Sequence, residues 1–499
     1  MVFSDFAMIP LPQLDANSDE PIYRQLHARI KASIQDGSLA PGERIPPTRE
    51  LAGLLGLNRT TVAAAYELLE AEGLIRGHVG RGSFVADPNE IGLAPAPGGL
   101  DWEDRFVSNR AQDPPVPVAA RGTDLISFTA ARPAADLFPL AEFRAACREV
   151  IDGPAAVDIL QLGSPLGYAP LRAFLQENKR VGEDLLITNG CQQALDLLQR
   201  LFTRPGDCVL VEDPIYPGLR NVFAHAGVRI VGVPVGPDGL DVEALPRLIA
   251  RERPRLLVVT PSFQNPTGAT MPLAARQALL RVAREQQLVV VENDIYAELR
   301  YQGGDLPSLK QLDETGDTLQ IKSFSKVAFP GLRVGWVSGP RSVIGRLAEL
   351  KQWTDLHSDQ LSQAVLLRFA ESGRLESHRQ RMVEAGRARL QAVLAACERH
   401  LPQGSRFTRP QGGMNLWVRL PDPLDASELL PRAQRAGVSY LPGRYFAVSR
   451  QEPGALRLSF AGLPPEQIEA GLAILGRVSQ EELTAARAAQ SAGLAPVIV

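Results

Sequence analysis

Five short runs of aliphatic and β-branched residues, Leu185–Ile187, Cys208–Val211, Leu256–Val259, Leu288–Val291 and Leu319–Ile321, alternate with helical segments such as Gln192–Phe202. Short, mostly apolar runs of this kind describe strands covered on both faces, and strands separated by helices describe a mostly parallel sheet. The middle of the chain is therefore predicted to be an α/β domain. From about Val343 helices dominate, and strands return at Leu416–Val418 and Leu456–Phe460, which predicts a smaller C-terminal α+β subdomain. Neither GxGxxG nor GxxxxGK[ST] occurs, so dinucleotide and P-loop chemistry lose their usual support.

Ahead of this domain the period is helical. Ile22, Leu26, Ile30 and Ile34 recur every four residues and predict a helix from Pro21, closed by Gly37. A second helix fits Thr48–Leu55, capped by Thr48 and closed by Gly56. Asn58 caps a third, which runs through Val62, Tyr66 and Leu69 to Glu72–Gly73. Leu74–Ile75 and Ser83–Val85, separated by Gly77, Gly80 and Gly82, predict a hairpin. Helix, tight turn, helix and hairpin form a winged helix-turn-helix. The Pro- and Gly-rich stretch that follows predicts a linker that docks once, through Trp102 and Phe106. The expected division is 18–87 for the winged helix, 88–122 for the linker, 123–342 for the large α/β domain and 343–485 for the small subdomain.

A chain of 499 residues exceeds one hydrophobic core, in line with several folding units. Its net charge of −3 carries no basic signature, so nucleic-acid binding must come from a local patch. Cys147, Cys191, Cys208 and Cys397 lie far apart without metal-ligand spacing, which suits a reducing, cytoplasmic setting with no disulfides and no metal. The N-terminus lacks the pattern of an export signal, and no apolar run approaches the ~20 residues that span a bilayer.

The local patch is legible by placement. Arg44, Arg49, Arg59 and Arg81 fall at the ends of elements that would face a groove, whereas Glu67, Glu70 and Glu72 lie toward the far end of the third helix. Residues Pro21–Val85 resemble the winged-helix domain of the GntR family, with the PGERIPPTRELA and GRGSFV stretches in order. The resemblance implies binding to double-stranded DNA through Arg49, through Asn58, Arg59, Thr60 and Thr61 at the recognition-helix N-terminus, and through Arg81 and Gly82 in the wing. An exposed helix N-terminus bearing Arg and Thr suits phosphate and base-edge contacts.

The strongest chemical signal is Ser323-Phe324-Ser325-Lys326 followed by Pro330-Gly331-Leu332-Arg333. A lysine flanked by hydroxyls and followed by an arginine can form an imine with an aldehyde while its neighbours bind that aldehyde's phosphate. Thr188–Leu195 reads as a strand, glycine turn and helix start, which offers backbone N–H groups to a phosphate. Tyr216 in Glu212–Gly218 offers a ring to stack on a heterocycle, and Gln264–Gly268 supplies an amide near a phenolic oxygen. Glu292–Tyr296 ends a strand with a carboxylate that, facing a ring nitrogen, would keep it protonated and make the ring an electron sink.

These five pieces, in this order, resemble the class I/II aminotransferases, the fold-type-I enzymes that use pyridoxal 5′-phosphate. The resemblance implies Lys326 as the lysine that carries the cofactor, Asp294 as the pyridine-nitrogen partner, Tyr216 as the stacking ring, and Asn265 and Tyr296 on the 3′-oxygen. It implies Cys191, Gln192, Ser323, Ser325 and Arg333 on the phosphate, and Arg457 on a substrate or effector carboxylate. Leu162 departs from the pattern, because relatives often carry there a tyrosine that reaches the neighbouring subunit's phosphate.

A GntR-type reader fused to an aminotransferase-like domain is similar end to end to the MocR family. That similarity implies a DNA-binding homodimer, with domain swapping as one of its forms, and an amine, an amino acid or vitamin B6 itself as effector. Effector exchange at Lys326, with Arg457 gripping a carboxylate, would then shift the position of the winged helices. The competing expectation is a working aminotransferase that carries a GntR-type domain.

Overall fold

The computed structural model describes residues 14, 21–35, 38–40, 42–78, 82–86, 125–179 and 184–491. The chain forms two compact units, Met1–Ser108 and Asn109–Val499. Gly37, Arg81, Trp102, Phe106 and the whole expected linker lie outside the described residues, as does the side chain of Arg49.

In the first unit α1 (Ile22–Gln35), β1 (Arg44–Ile45), α2 (Thr48–Leu55) and α3 (Arg59–Ala71) precede β2 (Ile75–His78) and β3 (Gly82–Val85). The four-residue spacing in α1 buries Leu26 and Ile30 against Val62, Ala65, Tyr66 and Leu69 of α3 and against Ile75 and Val85 of the hairpin. Each such aliphatic side chain contributes about 1.5–3 kcal/mol when fully buried. The Tyr66 hydroxyl donates to the Pro46 carbonyl at 2.7 Å, which satisfies the one polar atom α3 takes into this core. Pro47, not Thr48, occupies the N-cap of α2 and makes no side-chain cap bond. Proline has no N–H to satisfy, and Thr48 becomes the first helical residue. Asn58 caps α3 as expected, its Oδ1 accepting from Thr60 N at 3.2 Å. Strand β1, absent from the sequence reading, pairs antiparallel with β3 through Arg44 and Phe84.

The second unit opens with β4 (Ile126–Ser127), α4 (Leu140–Ile151), α5 (Ala156–Ile159) and α6 (Ala169–Lys179). The large domain follows as β5 (Asp184–Thr188), α7 (Gly190–Phe202), β6 (Cys208–Asp213), α8 (Pro217–His225), β7 (Arg229–Gly236), β8 (Gly239–Leu240), α9 (Leu245–Glu252), β9 (Leu256–Val259), α10 (Leu273–Glu285), β10 (Val289–Asn293), α11 (Leu309–Leu312), β11 (Leu319–Ser323) and β12 (Gly335–Gly339). Helix α12 (Arg341–Asp355) leads to α13 (Gln360–Glu371), α14 (Arg374–His400), β13 (Arg406–Phe407), β14 (Asn415–Arg419), α15 (Ala426–Arg435), β15 (Val438–Ser439), β16 (Leu441–Pro442), β17 (Ala455–Ser459) and α16 (Pro465–Ser491).

The central sheet runs β5-β12-β11-β10-β9-β6-β7-β8. Strands β11, β10, β9, β6 and β7 are parallel, whereas β12 lies antiparallel between β5 and β11. All five predicted runs are strands. The remaining three strands, β7, β8 and β12, lie outside those runs, and β12 has a steric reason to be glycine-rich. A Cβ at Gly335 would sit 2.9 Å from the Lys322 carbonyl and 3.0 Å from the Gly190 backbone, so three pieces of main chain meet there.

The small subdomain packs a sheet of order β13-β14-β17-β16 with α14, α15 and α16. One strand pair ties it to the start of the unit. Ile126–Ser127 pairs parallel with Val438–Ser439, so the first described segment of this unit joins the small subdomain's strands.

Candidate cofactor site and nucleic-acid interface

The carboxyl ends of β5, β6, β9, β10 and β11 open onto a cavity of about 390 Å³, where ligands of open α/β sheets bind. Lys326 enters it because a 3₁₀ turn, Phe324–Lys326, follows β11 directly. Its Nζ donates to the Ala131 carbonyl at 2.6 Å and lies 5.6 Å from the Tyr296 ring centroid. Burial holds this amine below the usual lysine range, which favours the nucleophilic neutral form.

Tyr296, Asn265 and Arg457 form one connected wall. Asn265 Nδ2 donates to the Tyr296 hydroxyl at 3.3 Å, and Arg457 Nη1 donates to Asn265 Oδ1 at 3.1 Å. Arg457 Nη2 is held by the Thr129 carbonyl, its guanidinium lies 5.0 Å from the Phe446 centroid, and its buried Nε has no partner. No carboxylate among the described residues meets this arginine, so its charge is available to a ligand. Tyr216, 41% exposed, and Cys191 complete the expected residues on the cavity wall.

Three more expected residues flank the turn at the start of α7. Arg333 Nη2 donates to the Asn189 carbonyl at 3.2 Å and its Nη1 lies 3.4 Å from Ser325 Oγ. Gln192 Nε2 donates to the Gly218 carbonyl at 3.0 Å, tying this turn to the Tyr216 loop. A Cβ at Gly190 would lie 2.3 Å from Arg333 Nη2, and Gly190 also has a φ of +75°, so glycine is required where the guanidinium crosses the turn. The sequence reading missed what anchors this turn. Asp355 Oδ2 accepts from Asn189 Nδ2 at 2.9 Å and from Gln193 Nε2 at 2.7 Å, while its Oδ1 pairs at 2.7 Å with Lys351, which is fully buried.

Two expected residues are placed elsewhere. Ser323 lies 2.9 Å from Ser325 Oγ and 3.1 Å from the Val334 carbonyl, so its hydroxyl braces the lysine turn and does not line the cavity. Asp294 is also outside it. Register pairs Glu292 with Gln320 and Asn293 with Ile321, which puts Glu292 and Asp294 on one face of the sheet and Asn293 on the other. Asp294 Oδ2 accepts from Gln320 Nε2 at 3.2 Å and pairs with Lys322 at 3.3 Å, on the face where Glu292 accepts from Leu309 N and Lys310 N. Asn293 lines the cavity instead, beside Thr260.

The arrangement fits a phosphorylated pyridine aldehyde. The free N–H groups of the α7 N-terminus and Arg333 suit its phosphate, Lys326 its aldehyde, Tyr216 its ring face, and Asn265 with Tyr296 its phenolic oxygen. When bound, such a group supplies an electrophilic carbon for amines.

In the first unit Asn58, Arg59 and Thr60 are exposed at the N-terminus of α3, with Thr61 half-buried behind them. At the other end Glu72 is held 3.0 Å from both His27 and Lys31, which lowers its pKa and offsets the acidic charge there. The exposed N-terminus therefore offers the positive end of the helix to a phosphodiester backbone.

Residues 170–475 match the family model for aminotransferase class I and II, and residues 22–85 match that for bacterial regulatory proteins of the gntR family. The chain is 42% identical over 360 residues to a 2-aminoadipate transaminase of Thermus thermophilus, covering 71% of this chain and 89% of the relative. It is 30% identical over 475 residues to a probable rhizopine catabolism regulatory protein MocR of Rhizobium meliloti, covering 92% of this chain and 94% of the relative. Among solved structures, the α-aminoadipate aminotransferase LysN of Thermus thermophilus, complexed with N-(5′-phosphopyridoxyl)-L-leucine, superposes with a TM-score of 0.72 at 38% identity, covering 77% of this chain and all of that one. The chain belongs to the class I and II aminotransferase family, in the MocR-type arrangement that sets a gntR-family reader ahead of the aminotransferase fold.

Proposed function

We propose that this chain is a pyridoxal-phosphate-dependent, DNA-binding transcription regulator whose DNA affinity responds to an amine, an amino acid or the cofactor itself. One observation carries the effector reading. The two basic side chains among the described residues that line the cavity, Lys326 and Arg457, both donate to carbonyls of a single short segment, Ala131 and Thr129. An amino acid that offers its amine in place of Lys326 and its carboxylate to Arg457 competes with that segment directly. Segment 129–131 closely follows β4, the first described element of the second unit. A ligand that changes its partners thus acts on chain leading to the reader, as differential binding to two states requires.

The reader contacts double-stranded DNA through Asn58, Arg59, Thr60 and Thr61, and the sequence adds Arg44, Arg49, Arg81 and Gly82 to these contacts. The working unit is a homodimer in the cytoplasm. Val157, Leu160, Leu162, Trp353 and Leu356 are 58–89% exposed, more apolar surface than isolated side chains on a monomer need. Gln360 Nε2 donates to the Gln161 carbonyl at 3.0 Å, bringing the two stretches together, and neighbouring Asp355 holds the α7 turn. A second copy covering this patch would abut the site.

Transamination with a panel of amino acids and keto acids tests the regulator reading. We expect little or no multiple turnover. Sustained turnover, with DNA affinity unmoved by any amine in the panel, would make the chain an aminotransferase that carries a DNA-binding appendage.

A further inference from the structure

The geometry points to a site that meets the cofactor's ring nitrogen with the amide of Asn293 and not with a carboxylate, so that it binds amines without the electron sink a transaminase needs. This rests on the cofactor reading above and deepens it.

The groups on the cavity wall have distinct tasks. Lys326 takes the aldehyde end, Cys191 and the α7 turn the phosphate end, Asn265 and Tyr296 the phenolic oxygen, and Arg457 with Thr129 the carboxylate side. The polar wall groups left over are Asn221, Thr260 and Asn293, and no aspartate or glutamate is among the described residues that line the cavity. The nearby carboxylates are accounted for elsewhere. Glu292 accepts from two backbone N–H groups and Gln320. Asp294 faces Gln320 and Lys322 across the sheet, with Glu298 beyond at 3.8 Å from Lys322. Glu212 is buried and 3.4 Å from Gln264 Nε2, and burial pushes its carboxyl up to about 8, into the neutral form at neutral pH.

Asn293 is 8% exposed, its Nδ2 donates to Thr260 Oγ1 at 3.2 Å, and its Oδ1 is buried without a partner. Thr260 takes only one of the two Nδ2 N–H groups, so the amide has a second to give a neutral pyridine nitrogen, and neither that N–H nor the orphaned Oδ1 carries a charge to hold a proton there. A carboxylate would hold that proton. Transamination would require the Lys326 amine to take the Cα–H proton and the bound cofactor to supply a place for the electron pair left behind. With the ring nitrogen neutral, that pair has no low-energy place to go. Replacing Lys326 by an effector amine forms one C–N bond and breaks another, with no net oxidation or reduction, and does not require the sink. Binding and sensing are therefore retained while proton abstraction is suppressed.

The test loads the full chain with pyridoxal phosphate labelled with ¹⁵N in the ring and reads the ring-nitrogen chemical shift between pH 6 and 8. The expected wild-type shift is that of a neutral pyridine. Asn293→Asp should move it into the protonated range, and Asp294→Asn should leave it unchanged. A protonated-range shift in the wild type, or a shift altered by Asp294→Asn, overturns the inference. Should Asn293→Asp fail to fold, the wild-type and Asp294→Asn measurements decide alone. A wild-type chain that takes up no cofactor overturns the underlying reading, and this inference with it, before any shift is read.

Discussion

Lys326 is the residue on which the chemistry turns, and its role makes a sharp prediction. Lys326→Ala should abolish the visible absorbance of covalently held cofactor while far-UV circular dichroism is retained. A borohydride-reducible imine persisting in that variant would assign the role to another lysine. A second prediction concerns His378, fully buried and stacked 6.1 Å from Phe329 of the lysine loop, with Arg381 and Glu142 the charges around it. Burial lowers its pKa from 6.5 to about 4, so the unfolded chain binds the proton first as pH falls. This contribution to stability is complete above about 6.5 and is lost toward 4, at up to ~1.4 kcal/mol per pH unit. Thermal melts should therefore fall between pH 6.5 and 5, before most carboxylates titrate, and His378→Phe should flatten that slope. An unchanged slope contradicts the assignment. At this scale the sequence named six residues that line one cavity, Lys326, Tyr216, Asn265, Tyr296, Cys191 and Arg457, but assigned to the cofactor a Ser323 hydroxyl that braces the lysine turn, and at Asp294 was misled by one step of register. Glu292-Asn293-Asp294 contains two acids, and chemistry alone favours an acid. The period of two that puts Asn293 with Val291 on the α7 side of β10, however, points both acids away from the cavity.

Elements were legible where period and punctuation agreed. The strands buried on both faces and the three helices of the reader follow their apolar spacing closely. Strand β7 was missed because it is half exposed and interrupted by Gly232 and Pro234, and β12 because its glycines serve backbone contacts. The tie from Lys351 and Asp355 to the α7 turn joins residues more than 160 positions apart, which no local pattern announces. One element-scale prediction concerns the cap of α3. Asn58→Ala removes an acceptor for the Thr60 N–H and should cost about 1 kcal/mol. For a unit of this size that lowers the first melting transition by roughly 4–8 °C. The second transition should stay in place, and a shift of both would mean the two units do not melt separately.

At the scale of the whole molecule, a reader and a small-molecule site share one polypeptide, and regulation requires that they also share an equilibrium. The exposed patch around Trp353 and Leu162 predicts that Trp353→Glu raises the dimer dissociation constant at least tenfold in sedimentation, with the monomer's circular dichroism unchanged. An unaltered dimer would place the interface elsewhere. The most direct test of the account is footprinting of the DNA upstream of the chain's own coding sequence, with and without pyridoxal phosphate and a panel of amines. The expected result is discrete protection that Arg59→Ala removes, and that cofactor or amine strengthens or weakens in the wild type but not in Lys326→Ala. No protection under any condition, together with steady transamination, would contradict it.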